Sequence, residues 1–177
     1  MIWVLKRYRF FIALLFLNAL LLYFYPAIGR RSWSISWHSF LEMISFIPPI
    51  FILLGLLDVW VERETMIRIM GENSGLLGIA VAFVLGSAAA GPLYAAFPVA
   101  GVLLKKGSKF SNILVFLGAW STTKIPMLLF EASAMGWKFM LTRFLINIPG
   151  IAAIAWATEK ILTHKDKAAI YQKAAAL

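Results

Sequence analysis

A lysine and a glutamate, seven positions apart, interrupt an otherwise apolar run. They are Lys124 and Glu131, in the stretch AWSTTKIPMLLFEA at 119–132. An ionisable side chain deep in a bilayer costs about 2.5 to 3.5 kcal/mol on insertion scales, so such residues face the interior of a helix bundle or a water-filled cavity. The two charges therefore indicate a polar site at membrane depth.

A proline and three hydroxyl residues share that depth. Pro126 removes one backbone hydrogen bond and is expected to kink or open the helix. A spacing of seven puts Lys124 and Glu131 on about the same helix face, roughly 10.5 Å apart along the axis. We predict that Lys124 anchors an anionic ligand or acts as a coupling charge, and that Glu131 is its partner or carries a proton. The hydroxyl residues expected to line the same site are Ser121, Thr122 and Thr123.

A structural alternative stays open for this site. Lys124 then only donates to carbonyls that the proline frees, and Glu131 reaches the outer headgroups. Water accessibility of Ser121 and Thr122 separates the two readings, because a structural contact is sealed from water whereas a transport pathway is wet.

Two other interruptions occur in the same half of the chain. Gly91 and Pro92 end the sequence GSAAAGP at 86–92, whose small residues break a helix and let backbones approach closely. Asn147 marks a weaker interruption near a proline in the last apolar run, and Arg143, a turn earlier, either contacts the cavity or snorkels outward. Interrupted helices that meet at mid-membrane offer amide and carbonyl groups to a ligand.

The elements that must position these residues are membrane helices. The chain has 177 residues, of which 62% are hydrophobic and 14% charged, which excludes an ordinary soluble domain. A span needs about 20 apolar residues. We predict an all-α polytopic membrane bundle with an amphipathic surface helix at 61–75 and apolar runs at 10–28, 36–60, 76–109, 110–135 and 137–162.

The run at 76–109 is too long for one span and has a weak centre. It forms either one bent helix or a pair of helices, re-entrant or fully crossing, with a break near 86–98. The positive-inside rule favours the returning pair, because twelve Lys and Arg residues then lie on the cytoplasmic side and three outside. The twelve are Lys6, Arg7, Arg9, Arg63, Arg68, Lys105, Lys106, Lys109, Lys160, Lys165, Lys167 and Lys173; the three are Arg30, Arg31 and Lys138.

Several chemistries have no signature here. There is no cysteine, and the two histidines accompany no metal-binding pattern, so we expect no metal site and no cofactor. Nucleotide-binding and hydrolase motifs are absent from the sequence. The net charge of +9 is explained by membrane orientation, so we expect no nucleic-acid partner. An enzyme is the weakest hypothesis.

The residues of the two interruptions are similar to a known family. GSAAAGPLYAAFPVAGVLLKKG, followed by FLGAWSTTKIPMLLFEASAMGWKFMLTRFLINIPG, resembles the predicted permeases of the YraQ type, which are related to the ArsP organoarsenical efflux permeases. The similarity covers about 40–158. Family members that move thiophilic metals carry a cysteine motif at the break, where this chain has Ala89, Ala90, Gly91 and Pro92, so the resemblance does not extend to arsenic as substrate.

The resemblance implies a permease whose longer relatives contain two related halves. This chain looks like one half, so the implied unit is a homodimer or a heterodimer with a sister half. We predict a subunit in the lipid bilayer that moves a small anionic or polar solute, by a secondary or passive mechanism, along a pathway lined by Gly86–Pro98 and Trp120–Pro126. The alternative is a non-transporting scaffold or assembly subunit.

The chain is predicted to be a single membrane domain over 1–177. It divides into an extra helix and outer loop at 1–35, a permease-like core at 36–162 and a cytoplasmic tail at 163–177. We expect a multi-pass protein of the inner (cytoplasmic) membrane with both termini in the cytoplasm.

Overall fold

The protein is built from helices. A computed structural model describes residues 8–89 and 91–176, and these contain no strand, which confirms the predicted all-α bundle. Lys6 and Arg7 of the predicted basic side, and Ala90 of the break, lie outside the described residues. The elements are α1 Arg9–Phe24, α2 Pro26–Trp60, α3 Arg63–Met70, α4 Gly75–Ala88, a 3-10 turn Leu93–Ala95, α5 Ala96–Lys105, α6 Phe110–Thr122, α7 Ile125–Met135, α8 Trp137–Ile161 and α9 His164–Ala175.

Among the residues that the structure describes, three helical segments are long and apolar enough to cross a membrane: Pro26–Leu53, Phe110–Met135 and Trp137–Ile161. The pair α3 and α4, bent by 107°, gives a fourth if it is counted as one span. The described part of α1 has 16 residues, fewer than the about 20 that a crossing needs. Multiple spans therefore agree with a multi-pass membrane protein.

The chain divides into two units at Pro48 and Pro49, inside α2. In the first unit α1 and the start of α2 are in close contact, and the Ser32 hydroxyl donates to the Asn18 side-chain oxygen at 2.7 Å. α2 begins at Pro26, so the last ten residues of the segment 1–35 are helical. Proline suits the first position of a helix, where its missing N–H has no partner to lose.

In the second unit α6 is the central helix, and α4, α5 and α8 pack around it. A Cβ atom on Gly86 would lie 2.4 Å from the Phe116 carbonyl oxygen, so glycine lets α4 rest directly on α6. Leu103, Ile113 and Phe116 are fully buried in this core. α3 adds Met66 and Met70 to it and turns its charged side chains outward, as predicted for a surface helix.

The segment from α4 to α5 is a hairpin that begins and ends at one place. The backbone amide of Lys109, just after α5, donates to the Met70 carbonyl, just before α4, at 2.7 Å. The buried Asn112 side chain donates to the same carbonyl at 2.9 Å. Since α4 has 14 residues, or about 21 Å, and runs parallel to α6, its end reaches only the level where α6 ends. The geometry matches the predicted returning hairpin, and its short arm favours the re-entrant form.

We call the end of the unit where the hairpin starts the basic end, since Lys105, Lys109, Lys160, Lys165 and Lys167 are found there. The opposite end is the far end, where the turn at Gly136 joins α7 to α8. At the basic end α9 packs on α5, and the Tyr171 hydroxyl donates to the Ser108 carbonyl at 2.9 Å. The tail is therefore a docked helix.

Candidate site at two helix breaks

The apolar segment Phe110–Met135 is broken in its middle. α6 ends at Thr122 and α7 begins at Ile125, so Thr123 and Lys124 are residues 14 and 15 of 26. Lys124 has an extended backbone (φ −65°, ψ 138°) and forms the N-cap of α7. Pro126 lies in the first turn of α7, where a missing N–H is tolerated. The structure thus has the predicted opening at mid-span.

The tip of the hairpin meets this break. The Gly91 carbonyl accepts a hydrogen bond from the Lys124 ammonium at 2.9 Å and one from the Trp120 indole at 3.3 Å. The hydroxyls of Ser87 and Thr123 are 3.1 Å apart. Three predicted site residues, Gly91, Thr123 and Lys124, therefore come together. Ser87 and Trp120 lie in the two segments predicted to line the pathway, but neither is among the predicted site residues. Their contacts depend on how the hairpin tip packs against the break, which the sequence does not give.

The positive charge of Lys124 is not neutralised by a neighbouring carboxylate in the described part of the chain. Its side chain is partly buried, and its hydrogen-bond partner is a neutral carbonyl. The N-terminus of α7, adjacent to it, adds the partial positive charge of the helix dipole. The break is therefore a locally positive point in an apolar bundle.

Ser121, Thr122 and Pro92 differ in how they border the break. Ser121 is exposed and lies three residues before Lys124. Thr122 is partly buried and its hydroxyl donates to the Gly118 carbonyl of its own helix at 2.8 Å. Pro92 is partly buried and follows Gly91 at the hairpin tip. Ser121 is thus the hydroxyl residue of this group that is open to the surroundings.

Glu131 pairs with Arg143 and not with Lys124. The Arg143 guanidinium contacts the Glu131 Oε1 atom and also donates to the Thr122 carbonyl at 3.1 Å. The expected pairing of Glu131 with Lys124 assumed a continuous helix, but the extended backbone at Lys124 breaks the helical phase between the two. The sequence allowed Arg143 either to contact the cavity or to extend toward the headgroups; in the structure its side chain faces the bundle.

Asn147 lies one turn beyond Arg143 on α8. Its Nδ2 atom is buried and has no hydrogen-bond partner among the described residues. With Arg143 and Thr142 it borders a small open depression of about 230 Å³ on the surface of α8. α8 runs unbroken through Pro149, so the interruption predicted there is absent from the helix.

A larger cavity, of about 470 Å³, adjoins the break on the hairpin side. Its walls are apolar and include Val81, Leu85, Val99 and Trp120. Among the described residues no group of three or more His, Asp or Glu side chains is arranged to hold a metal ion. The polar chemistry of this region therefore rests on Lys124, the hydroxyls and the Glu131–Arg143 pair.

Comparison with known proteins identifies one family. The model of a family described as predicted permease, ArsP_1, matches residues 32–176. No curated protein and no solved structure matches the chain. The matched range contains the hairpin, both breaks and the Glu131–Arg143 pair.

Proposed function

Since the chain belongs to the ArsP_1 family of predicted permeases, we propose that it is a transporter subunit that moves a small anionic or polar solute past Lys124. The observation that carries this proposal is the ammonium group of Lys124, which lies at the meeting point of two helix breaks and has no carboxylate partner in the described chain. An uncompensated cation at mid-span is costly in lipid, and binding an anion recovers part of that cost.

The proposed pathway runs through the break. Lys124 supplies the charge, and Ser121, Thr122 and Thr123 supply hydroxyls. Gly91 and Pro92 expose backbone at the hairpin tip. Glu131 borders the half of the pathway nearer the far end, and Asn147, one turn beyond Arg143 toward the basic end, lies at about the level of the break. The sequence has no nucleotide-binding motif, so the proposed mechanism is secondary or passive.

We also propose that two such chains form the transport unit, as a homodimer or with a sister half. A single hairpin covers the break from one side only, since Ser121 remains exposed. Phe97, near the hairpin tip, is 57% exposed and gives a partner an apolar surface to contact. The basic end then faces the cytoplasm of an inner-membrane protein, and both termini lie on that side.

Cysteine labelling tests the pathway without knowledge of the solute. The natural chain has no cysteine, so in a variant with a single cysteine at position 121 or 122 all labelling occurs at that position. We expect Ser121→Cys and Thr122→Cys in proteoliposomes to react with a small hydrophilic maleimide at least tenfold faster than Leu129→Cys, an exposed apolar position on α7. Equal rates at all three positions would favour the scaffold alternative.

A transport assay then tests Lys124. Proteoliposomes are screened with phosphate, sulfate and small carboxylates by measuring solute-induced current or uptake. For any solute that moves, we expect Lys124→Met to abolish transport and Lys124→Arg, which keeps the charge, to retain part of it. Normal transport by Lys124→Met would show that the proposed site is wrong.

A further inference from the structure

Arg143 connects the break to a carboxyl group nearer the far end. It donates to the carbonyl of Thr122, the last residue of α6. In a continuous helix that carbonyl would accept from the amide four residues on, but residue 126 is proline and has no N–H. Arg143 therefore replaces the one donor that Pro126 cannot supply.

The other contact of Arg143 leaves half of a carboxyl group without a partner. The Arg143 guanidinium donates a hydrogen bond to Oε1 of Glu131, whereas Oε2 is buried and has no hydrogen-bond partner among the described residues. The Glu131 side chain is only 12% exposed. A buried oxygen of an ionised carboxylate without a donor is costly, and a proton on that oxygen lowers the cost, because a neutral carboxylic acid is less costly to bury than an ionised one.

Few charges face Glu131. α8 is the helix packed against α7, and its charged side chains are Lys138, Arg143, Glu159 and Lys160. Lys138 is exposed and lies five residues before Arg143, whereas Glu159 and Lys160 lie toward the basic end, about 24 Å or more along α8 from Arg143. On α7 itself the nearest charge is Lys124, which bonds to Gly91. Arg143 is thus the charge that governs Glu131.

We propose that Glu131 is a proton-binding site whose occupancy decides whether the Arg143 guanidinium is held by Glu131 or joins Lys124 as a second ligand for the anion. This rests on the proposed function, since the anion is the solute assigned to Lys124. With Glu131 ionised, the formal charges of Lys124, Arg143 and Glu131 sum to +1. Arg143 is then held by its two acceptors, the Glu131 carboxylate and the Thr122 carbonyl.

When a proton adds to Oε2 of Glu131, the ion pair is lost and the sum becomes +2. Arg143 then keeps only its bond to the Thr122 carbonyl, and its guanidinium is available to a bidentate anion such as a carboxylate or phosphate. Each ligand favours binding of the other, so the class of solute is an anion carried together with a proton.

Infrared difference spectroscopy of the purified chain tests the proton site without any solute. Acid-minus-alkaline spectra should contain a carboxylic-acid C=O band that disappears in Glu131→Gln and persists in Glu72→Gln, a matched loss of an exposed carboxyl group. In Arg143→Lys, which keeps the charge but not the two-armed contact, the band should respond to pH differently from the band of the natural chain.

A second measurement links the proton to the break. The labelling rate of Ser121→Cys is divided, at each pH, by that of Ser121→Cys in the Glu131→Gln background, which cancels the ionisation of the thiol itself. We expect this ratio to change at least threefold across the midpoint of the Glu131 band. The double variant Glu131→Gln/Arg143→Met removes both members of the ion pair and so controls for the effect of leaving Arg143 without its carboxylate. Thermal unfolding in detergent checks that each single variant is folded.

The outcomes are distinct. Absence of a Glu131 band, or a band that Arg143→Lys leaves unmoved, overturns the proton proposal even if Ser121 and Lys124 behave as a transport pathway. A titrating band that responds to Arg143, together with a sealed Ser121, retains the proton site and rejects the pathway. A labelling ratio that does not vary with pH rejects the coupling between the two.

Discussion

The Lys124 ammonium donates a 2.9 Å hydrogen bond to the carbonyl of Gly91, a residue thirty-three positions earlier in the chain. This bond joins the tip of the hairpin to the break in Phe110–Met135. A backbone carbonyl holds its position only if the local backbone does, so the geometry of the tip sets the position of the charge. Substitutions in the hairpin should therefore act on Lys124 without touching it.

Gly91 itself gives the first prediction. Its φ of 102° lies where a side chain is strained. Gly91→Ala should lower the free energy of unfolding by about 1 to 3 kcal/mol and displace the carbonyl that Lys124 and Trp120 use. Thermal unfolding in detergent measures the loss, with Gly150→Ala as control, because a Cβ at Gly150 meets nothing within 4 Å. Equal melting temperatures for the two variants would contradict the prediction.

Gly86 gives the second. A Cβ there would lie 2.4 Å from the Phe116 carbonyl and 2.8 Å from the Ala119 Cβ, so α4 must move away from α6. We expect Gly86→Ala to destabilise the protein by about 1 to 3 kcal/mol. The matched variant is Gly55→Ala, also within a helix but with open space around the added atom. The free energies of unfolding of the two variants are compared by guanidinium or heat unfolding in the same detergent. If Gly86→Ala is as stable as Gly55→Ala, α4 and α6 are not in contact at Gly86.

The docked tail responds to alkaline pH. Burial raises the pKa of Tyr171, and the negative charge of Glu72 adds to the effect. A hydroxyl with a raised pKa contributes stability fully below its unfolded value of about 10, and that stability is lost as pH rises through the folded value. Tyr171→Phe should cost about 0.5 to 1.5 kcal/mol near neutral pH. Unfolding measured from about pH 8 to about pH 11 should show a flatter alkaline decline in Tyr171→Phe, whereas Tyr94→Phe should follow the wild type.

The start of the same tail responds to acid. Hydrogen bonds from the Thr163 hydroxyl and amide hold the pKa of Asp166 below its ordinary value, and the two residues form a capping box at the start of α9. A depressed carboxyl pKa gives stability that is present above about pH 3.9 and lost as pH falls through the folded value. Circular dichroism should show part of the helical signal lost at acid pH, and Asp166→Asn should remove that step. Glu64→Gln, which changes an exposed carboxylate on α3, should leave the step in place.

The sequence was sufficient for the hairpin and for the break. Lys105, Lys106 and Lys109 follow the weak centre closely, and they share one side with the basic tail only if the chain returns. Lys124 and Pro126 together marked the middle of a long apolar run as unable to stay a continuous helix. Both inferences use local chemistry and length, which do not depend on knowing the neighbours.

The contacts of the charged side chains could not be predicted from local chemistry and segment length. A spacing of seven puts Lys124 and Glu131 on the same helix face only if both residues are helical. Lys124 has an extended backbone, so its side chain does not follow the face on which Glu131 lies. The true partner of Glu131, Arg143, lies on the next helix, and a sequence does not give the rotation of one helix against another. The same holds for Asn112, whose buried amide holds the hairpin base although it reads as an ordinary residue in an apolar helix.

The shared Met70 carbonyl has a mechanical consequence. It fixes both ends of the hairpin through Lys109 and Asn112, and so makes the base a pivot and the α4 arm a lever of about 21 Å. A rotation of only about 5° at the pivot displaces the tip by about 2 Å, which is more than a hydrogen bond tolerates. Because α4 rests on α6 at Gly86, near the end of the arm, the arm can swing at the pivot only by leaving α6, and that motion would separate Gly91 from Lys124.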